Sequence, residues 1–278
     1  MRQGRKLLAA LVSAGLLSGI FSATSQAATA ADYRTTEYEK MGALDLVQAA
    51  GAYAKGYSGK GVYLGILDTT VRQIHPDFAG KTIISATAYN DSSYKWSGKD
   101  DEIMHGSHVA GIMLANKDDK GMHGIAYNAN LAIGGSIDET TTAAMTNAWN
   151  YLTGISQVKV INNSLGDGEC FVGNELAAYG QPEALNNLSS GFHIDTAVVA
   201  ASLLKSIQSD KLYVFAMGNV NDIAGSNFDV GIPFYNAAAR NNVIGVVSCR
   251  MNTDPTKGLV SGEFNKAMFA EDYTVAAP

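Results

Sequence analysis

From Gly56 onward the chain alternates between short apolar runs rich in β-branched residues and longer stretches whose apolar positions recur at helical spacing. The pattern predicts strands at 61–67, 131–133, 158–162, 212–216 and 243–247, and helices at 141–152 and 197–209. A further helix is predicted to open near His105, because Asp100, Asp101 and Glu102 precede it and Val109, Ile112 and Met113 follow at helical intervals. The strands are apolar throughout rather than alternating. Strands of that kind, separated by helices, belong to a parallel sheet covered on both faces, whose functional sites gather beyond the carboxyl ends of the strands. No internal repeat, low-complexity tract or Pro-rich linker interrupts the pattern, so residues 56–278 read as one domain.

Composition narrows the function classes. The 278 residues are 46% hydrophobic and only 17% charged, enough for a substantial core. A net charge of -6, with no basic cluster beyond the first few residues, argues against nucleic acid as a partner. The N-terminus carries Arg2, Arg5 and Lys6, an apolar run from Leu7 to Phe21, and small residues from Ser25 to Ala30. This is the pattern of a secretory signal peptide over residues 1–30, followed by an N-terminal segment at 31–55. The run is short for a bilayer and diluted by Gly15, Ser18 and Gly19, and no later segment is apolar enough for a transmembrane helix. The expected location is therefore secreted, periplasmic or cell-surface. Export brings Cys170 and Cys249 into an oxidising compartment, where they form either a bridge or two independent thiols.

Polar groups follow three of the predicted strands: Asp68, then Asn163-Ser164-Leu165-Gly166, then Gly218-Asn219. Singly, Asp68 and Asn219 read as turn formers and His105 as a solvated helix start. Together they acquire a chemical meaning. A buried aspartate beside an imidazole orients it and stabilises its protonated form, and an amide donor can hold a developing oxyanion. Gly106 and Gly111 each cost a helix about 1 kcal/mol relative to alanine, so a close approach by another backbone or a substrate is expected to justify them.

In order, the blocks are Gly65-Ile66-Leu67-Asp68-Thr69, His75-Pro76-Asp77-Phe78, His105-Gly106-Ser107-His108-Val109-Ala110-Gly111, Asn163-Ser164-Leu165-Gly166 and Met217-Gly218-Asn219. From Gly56 to Pro278 the chain resembles a subtilisin-like serine protease, a subtilase. The resemblance implies an α/β fold of three layers around a mostly parallel central sheet. It implies Asp68 as the orienting aspartate, His105 as general base and Asn219 as oxyanion donor. Ser164, Leu165 and Gly166 become the edge on which an extended peptide or protein substrate pairs. His108 becomes structural. Thr70 and Ser107 depart mildly from the family pattern, and Met217, replacing a small residue, is expected to crowd the oxyanion corner. No cofactor is required; calcium is the candidate ion, with Asp77 and Asp118 as oxygen donors.

The family's nucleophile lies in a Gly-Thr-Ser block downstream of an Ala-Pro-Gly segment, and the 278 residues contain no such block. The resemblance thus implies a domain incomplete at its C-terminus and a fragment inactive by itself, with a downstream autotransporter barrel as one form of the complete protein. The alternative is an inactive subtilase fold that binds peptides. A metal hydrolase built on His105 and His108 fits less well, since no His-Glu-x-x-His motif is present.

Overall fold

Gly59 and Gly61 take φ of 82° and 81°, a region side chains with a Cβ rarely enter, and this turn delays the first strand. Strand β1 runs Tyr63–Asp68, so it begins at Tyr63 rather than Gly61 and keeps Asp68 as its last residue. The structure is a computed structural model and describes residues 27–86, 105–136, 141–165, 196–219, 228–251, 259–261 and 267–277. The expected signal sequence up to residue 26, Gly166 and Cys170 lie outside the described residues.

Helices α1 (Thr36–Lys40), α2 (Ala43–Leu46) and α3 (Ala49–Ala54) precede β1. After it come β2 (Ile83–Ser85), α4 (His105–Leu114), β3 (Asn130–Ser136), α5 (Thr142–Gly154) and β4 (Val158–Asn163). The remainder is α6 (Thr196–Ile207), β5 (Leu212–Ala216), α7 (Phe228–Tyr235), β6 (Val243–Met251), β7 (Leu259–Ser261) and β8 (Thr274–Ala277). Parallel strands are ordered β2-β3-β1-β4-β5-β6, with β8 also parallel on β6 and, among the described residues, only β7 antiparallel. The chain leaves β1 toward β3 on one side and β4 on the other, so the order reverses at β1.

Alternation along β1 separates two cores. Ile66 joins Ala110 and Leu114 of α4, Leu131 and Ile133 of β3, and Phe78. Leu67 joins Met145, Trp149 and Leu152 of α5 with Leu203 and Ile207 of α6. Successive side chains of a strand point to opposite faces, so α4 covers one face and α5 with α6 the other. The result is three layers and a mostly parallel sheet, as the pattern predicts.

Helix α5 has a defined start and stop. Thr141 caps its N-terminus by accepting a hydrogen bond from the Ala144 amide at 3.1 Å. Beyond its C-terminus, Lys211, only 2% exposed, donates to the Ile155 and Val158 carbonyls at 2.9 and 3.0 Å. A cation there complements the negative end of the helix dipole.

The N-terminal segment packs through aromatic rings. Tyr33, Tyr38 and Tyr53 gather around buried His123 and Tyr127, and the Tyr53 hydroxyl donates to the Ile125 carbonyl at 2.8 Å. Glu37, buried in α1, accepts from the amides of Asp118 and Asp119 at 3.2 Å each. Cys249 is a buried free thiol.

Candidate active site

Strand register gathers the polar groups found after the apolar runs. Leu67 of β1 pairs with Asn163 of β4, and Asn163 pairs with Phe215 of β5. The carboxyl ends of three adjacent parallel strands therefore lie side by side, carrying Asp68, Ser164 and the turn to Asn219.

Asp68 faces α4. Its Oδ1 accepts from His105 Nδ1 at 2.7 Å and from the Thr69 amide at 2.7 Å. The Asp68 side chain is wholly buried, while that of His105 is 48% exposed. Burial pushes the Asp68 carboxyl above the ordinary aspartate range, opposed by His105 and Thr69, which favour the ionised form. A carboxylate can only accept, so Nδ1 carries the imidazole proton and Nε2 keeps its lone pair on the exposed side. This arrangement can take a proton at Nε2 and stabilise the resulting imidazolium.

The segment after β1 clamps α4 at both ends, fixing His105 against Asp68. At the start, the Gly106 amide donates to Thr69 Oγ1 and the Arg72 amide to Ser107 Oγ, both at 2.8 Å. A Cβ on Gly106 would collide with the Thr69 carbonyl oxygen, which accounts for the glycine. At the far end, the Asn116 amide donates to the Asp77 carbonyl at 2.8 Å and Asn116 Nδ2 to the Ala79 carbonyl at 2.8 Å. The block from His75 to Phe78 is thus a scaffold for the helix. His75 Nδ1 accepts from the Asp77 amide at 3.2 Å and caps the turn Pro76–Phe78. His108, on the exposed face of α4 with His105, has no hydrogen bond or ion pair among the described residues; it does not pack as a structural histidine.

Ser164 and Leu165 continue directly from β4. Asn162 Nδ2 donates to Ser164 Oγ at 2.9 Å, and Leu165 packs on the main core. Asn163, read from the sequence only as the first polar residue after the strand, organises this edge. Fully buried, it accepts from Trp149 Nε1 at 2.9 Å and donates to the carbonyls of Ile161 and Val214 at 3.2 and 3.3 Å. It ties α5 and β5 to the end of β4. The clue in the sequence is the pair of amides, Asn162-Asn163, that ends an apolar run.

The turn to Asn219 corrects one expectation. Met217 does not crowd the corner; it is 1% exposed and points into the core, where Gly245 leaves room for its sulfur and Thr274 Oγ1 donates to it at 3.9 Å. Gly218 takes φ of 109°, and Asn219 beyond it is exposed.

Asp77 and Asp118 each have a neighbour among the described residues. The Asp77 carboxylate lies 3.9 Å from His75 Nδ1, and that of Asp118 accepts from the Lys120 amide at 3.1 Å. The amides of the 118–119 turn converge on the Glu37 carboxylate. Among the described residues no three His, Cys, Asp or Glu side chains group as a metal site.

A parallel α/β sheet with a buried aspartate holding a half-exposed histidine at its switch point defines a hydrolase-like site. The chain belongs to the subtilase family, whose model matches residues 59–277. It is 30% identical over 248 residues to an extracellular serine protease of Serratia marcescens, a match covering 79% of this chain and 23% of that protein. It is 27% identical over 207 residues to the major intracellular serine protease of Bacillus subtilis (strain 168), covering 74% of this chain and 56% of that one. Among solved structures, the self-cleaved protease domain of PatA superposes with a TM-score of 0.53 at 19% identity, covering 80% and 68% of the two chains, a likeness of fold. The chain spans about a quarter of the Serratia relative's length.

Proposed function

We propose that this chain supplies the base and binding edge of a serine endopeptidase. The observation that carries the reading is the 2.7 Å bond between wholly buried Asp68 and half-exposed His105 at the carboxyl end of β1. In the proposed reaction a serine hydroxyl attacks the peptide carbonyl and His105 Nε2 takes its proton. Asp68 holds the Nδ1 proton and stabilises the imidazolium, and the Asn219 amide donates to the oxyanion. His105 then returns the proton to the leaving amine, and water releases the acyl group by the same steps. Ser164, Leu165 and Gly166 pair with the extended substrate backbone. No cofactor takes part.

No Gly-Thr-Ser block occurs within the 278 residues, so we assign the nucleophile to sequence outside them and expect these residues alone to give no normal turnover. Without a triad member, acceleration falls to the residual 10³- to 10⁴-fold over water that binding and the oxyanion hole supply, by order of magnitude. Export to the periplasm, cell surface or medium follows from the signal-peptide pattern at 1–30. Among the described residues no helix is long and apolar enough to cross a membrane.

Fluorophosphonate labelling tests the reading. The complete gene product should label at one serine and His105→Ala should label at least a hundredfold more slowly, while residues 1–278 alone should not label. Equal labelling of parent and His105→Ala would overturn the role of His105.

A further inference from the structure

We infer that His105 and His108 form an inhibitory site for a late divalent transition metal, with Zn²⁺ as the ion tested. Helix α4 is continuous from His105 to Leu114, and residues three apart on a helix share a face with Cβ atoms about 5–6 Å apart. That separation allows two imidazoles to close on one ion. Both side chains are exposed. His105 is already set as a ligand. Its Nδ1 proton is held by the buried Asp68 carboxylate at 2.7 Å, which leaves the Nε2 lone pair outward. Metal-bound histidines commonly give their second ring N–H to a carboxylate, which fixes the ring and raises its basicity. His108 supplies the second imidazole without having to break a hydrogen bond found among the described residues.

The donor type selects the ion. Imidazole nitrogens suit zinc, copper and nickel, whereas calcium and magnesium take oxygen donors. Asp68 is engaged on His105 Nδ1 and no three His, Cys, Asp or Glu side chains group as a metal site among the described residues, so water completes the coordination and the metal exchanges readily. A metal on Nε2 occupies the lone pair that accepts the nucleophile's proton. Binding therefore competes with proton transfer, and chelation restores it. The site itself stands on geometry; its inhibitory effect rests on the proposed role of His105.

Calorimetric titration of the full chain with Zn²⁺ decides the first part. The parent should bind one ion in a step that weakens at least tenfold in both His108→Ala and His105→Ala and survives in His75→Ala. Asp68→Asn should weaken it about 10- to 100-fold, the usual effect of losing the carboxylate behind a metal-bound histidine. Parent-like affinity in His108→Ala would overturn the site. In the complete gene product, Zn²⁺ should slow fluorophosphonate labelling, a chelator should restore it, and His108→Ala should label at the parent rate with its zinc sensitivity lost. Retained sensitivity in that variant would overturn inhibition through this pair. A product that labels with no dependence on His105 would sink the proposed base while the titration still decides the metal site.

Discussion

The same substitution at two glycines of α4 should change stability in opposite directions. Replacing glycine by alanine inside a helix gains about 1 kcal/mol of intrinsic propensity at either position. At Gly111 an added Cβ meets nothing within 4 Å, so Gly111→Ala should realise most of that gain. For a chain of this size the gain raises Tm by about 2–4 °C. At Gly106 the Cβ would overlap the Thr69 carbonyl oxygen and lie 3.1 Å from that of Thr70. Neither atom can swing aside. Both are backbone, and the loop carrying them is held by the Gly106 amide on Thr69 Oγ1 and the Thr69 amide on Asp68 Oδ1.

Overpacking of this kind costs about 1–3 kcal/mol, which leaves Gly106→Ala less stable than the parent by up to about 2 kcal/mol once propensity is credited. The relief open to the helix is to move away from the loop, which lengthens the contact between His105 and Asp68. A displacement near 1 Å can cost about a hundredfold in rate. Urea unfolding followed by far-UV circular dichroism measures the stabilities, and the labelling rate of the complete gene product measures the site. Equal stability of the two variants, with normal labelling in Gly106→Ala, would refute the close approach as the reason for that glycine.

Asn163→Leu leaves the Trp149 indole N–H buried without its acceptor, and should lower stability by about 1–3 kcal/mol in urea unfolding; a neutral result would show that water replaces the amide. Asp68→Asn should be more stable than the parent at neutral pH, yet label more slowly by a factor on the order of 10⁴. The sign follows from the raised carboxyl: the folded parent binds the proton more tightly than the unfolded chain, so its stability falls as pH rises from the ordinary aspartate range through the folded value. The gap in favour of Asp68→Asn should thus widen between pH 3 and 7, and a gap that narrows would count against the burial cost. Lys211→Met leaves the Ile155 and Val158 carbonyls without their charged donor and should cost about 1.5–3 kcal/mol, read as a lower urea midpoint.

What could be read in the sequence was whatever the chain encodes locally. The strands around Leu131, Val158, Leu212 and Val243 are apolar runs, and each appears at its expected place, with β6 continuing to Met251. Strand β2 is only Ile83–Ser85 and partly buried, too short to show a period. Helix α7 contains Pro233, which normally argues against a helix interior, yet Val230 and Ile232 on either side of Gly231 are packed into the main core. Helices α1 to α3 are shorter than an isolated helix needs in water, and their aromatic contacts with His123 and Tyr127 supply the stability their propensity does not. Glu37 and the partners of Asn163 stayed illegible for another reason: the groups these side chains satisfy, the Asp118 amide and the Trp149 indole, are distant or out of phase in sequence.

The position of Asp68 shows how a shift at a strand boundary bears on chemistry. A strand ending at Leu67 would leave the direction of the next side chain to the loop. With Asp68 inside β1, the period of two sends it to the face that Ile66 already shares with Ala110 and Leu114 of α4. Helix α4 opens at His105 on that same face, and the clamps at Thr69 and Asp77 fix where it opens. The 2.7 Å contact therefore follows from strand parity and helix placement together. A change that alters either, such as lengthening the Gly59–Gly61 turn enough to slip β1 by one residue, should turn Asp68 toward the α5 side and separate it from His105 without touching either side chain.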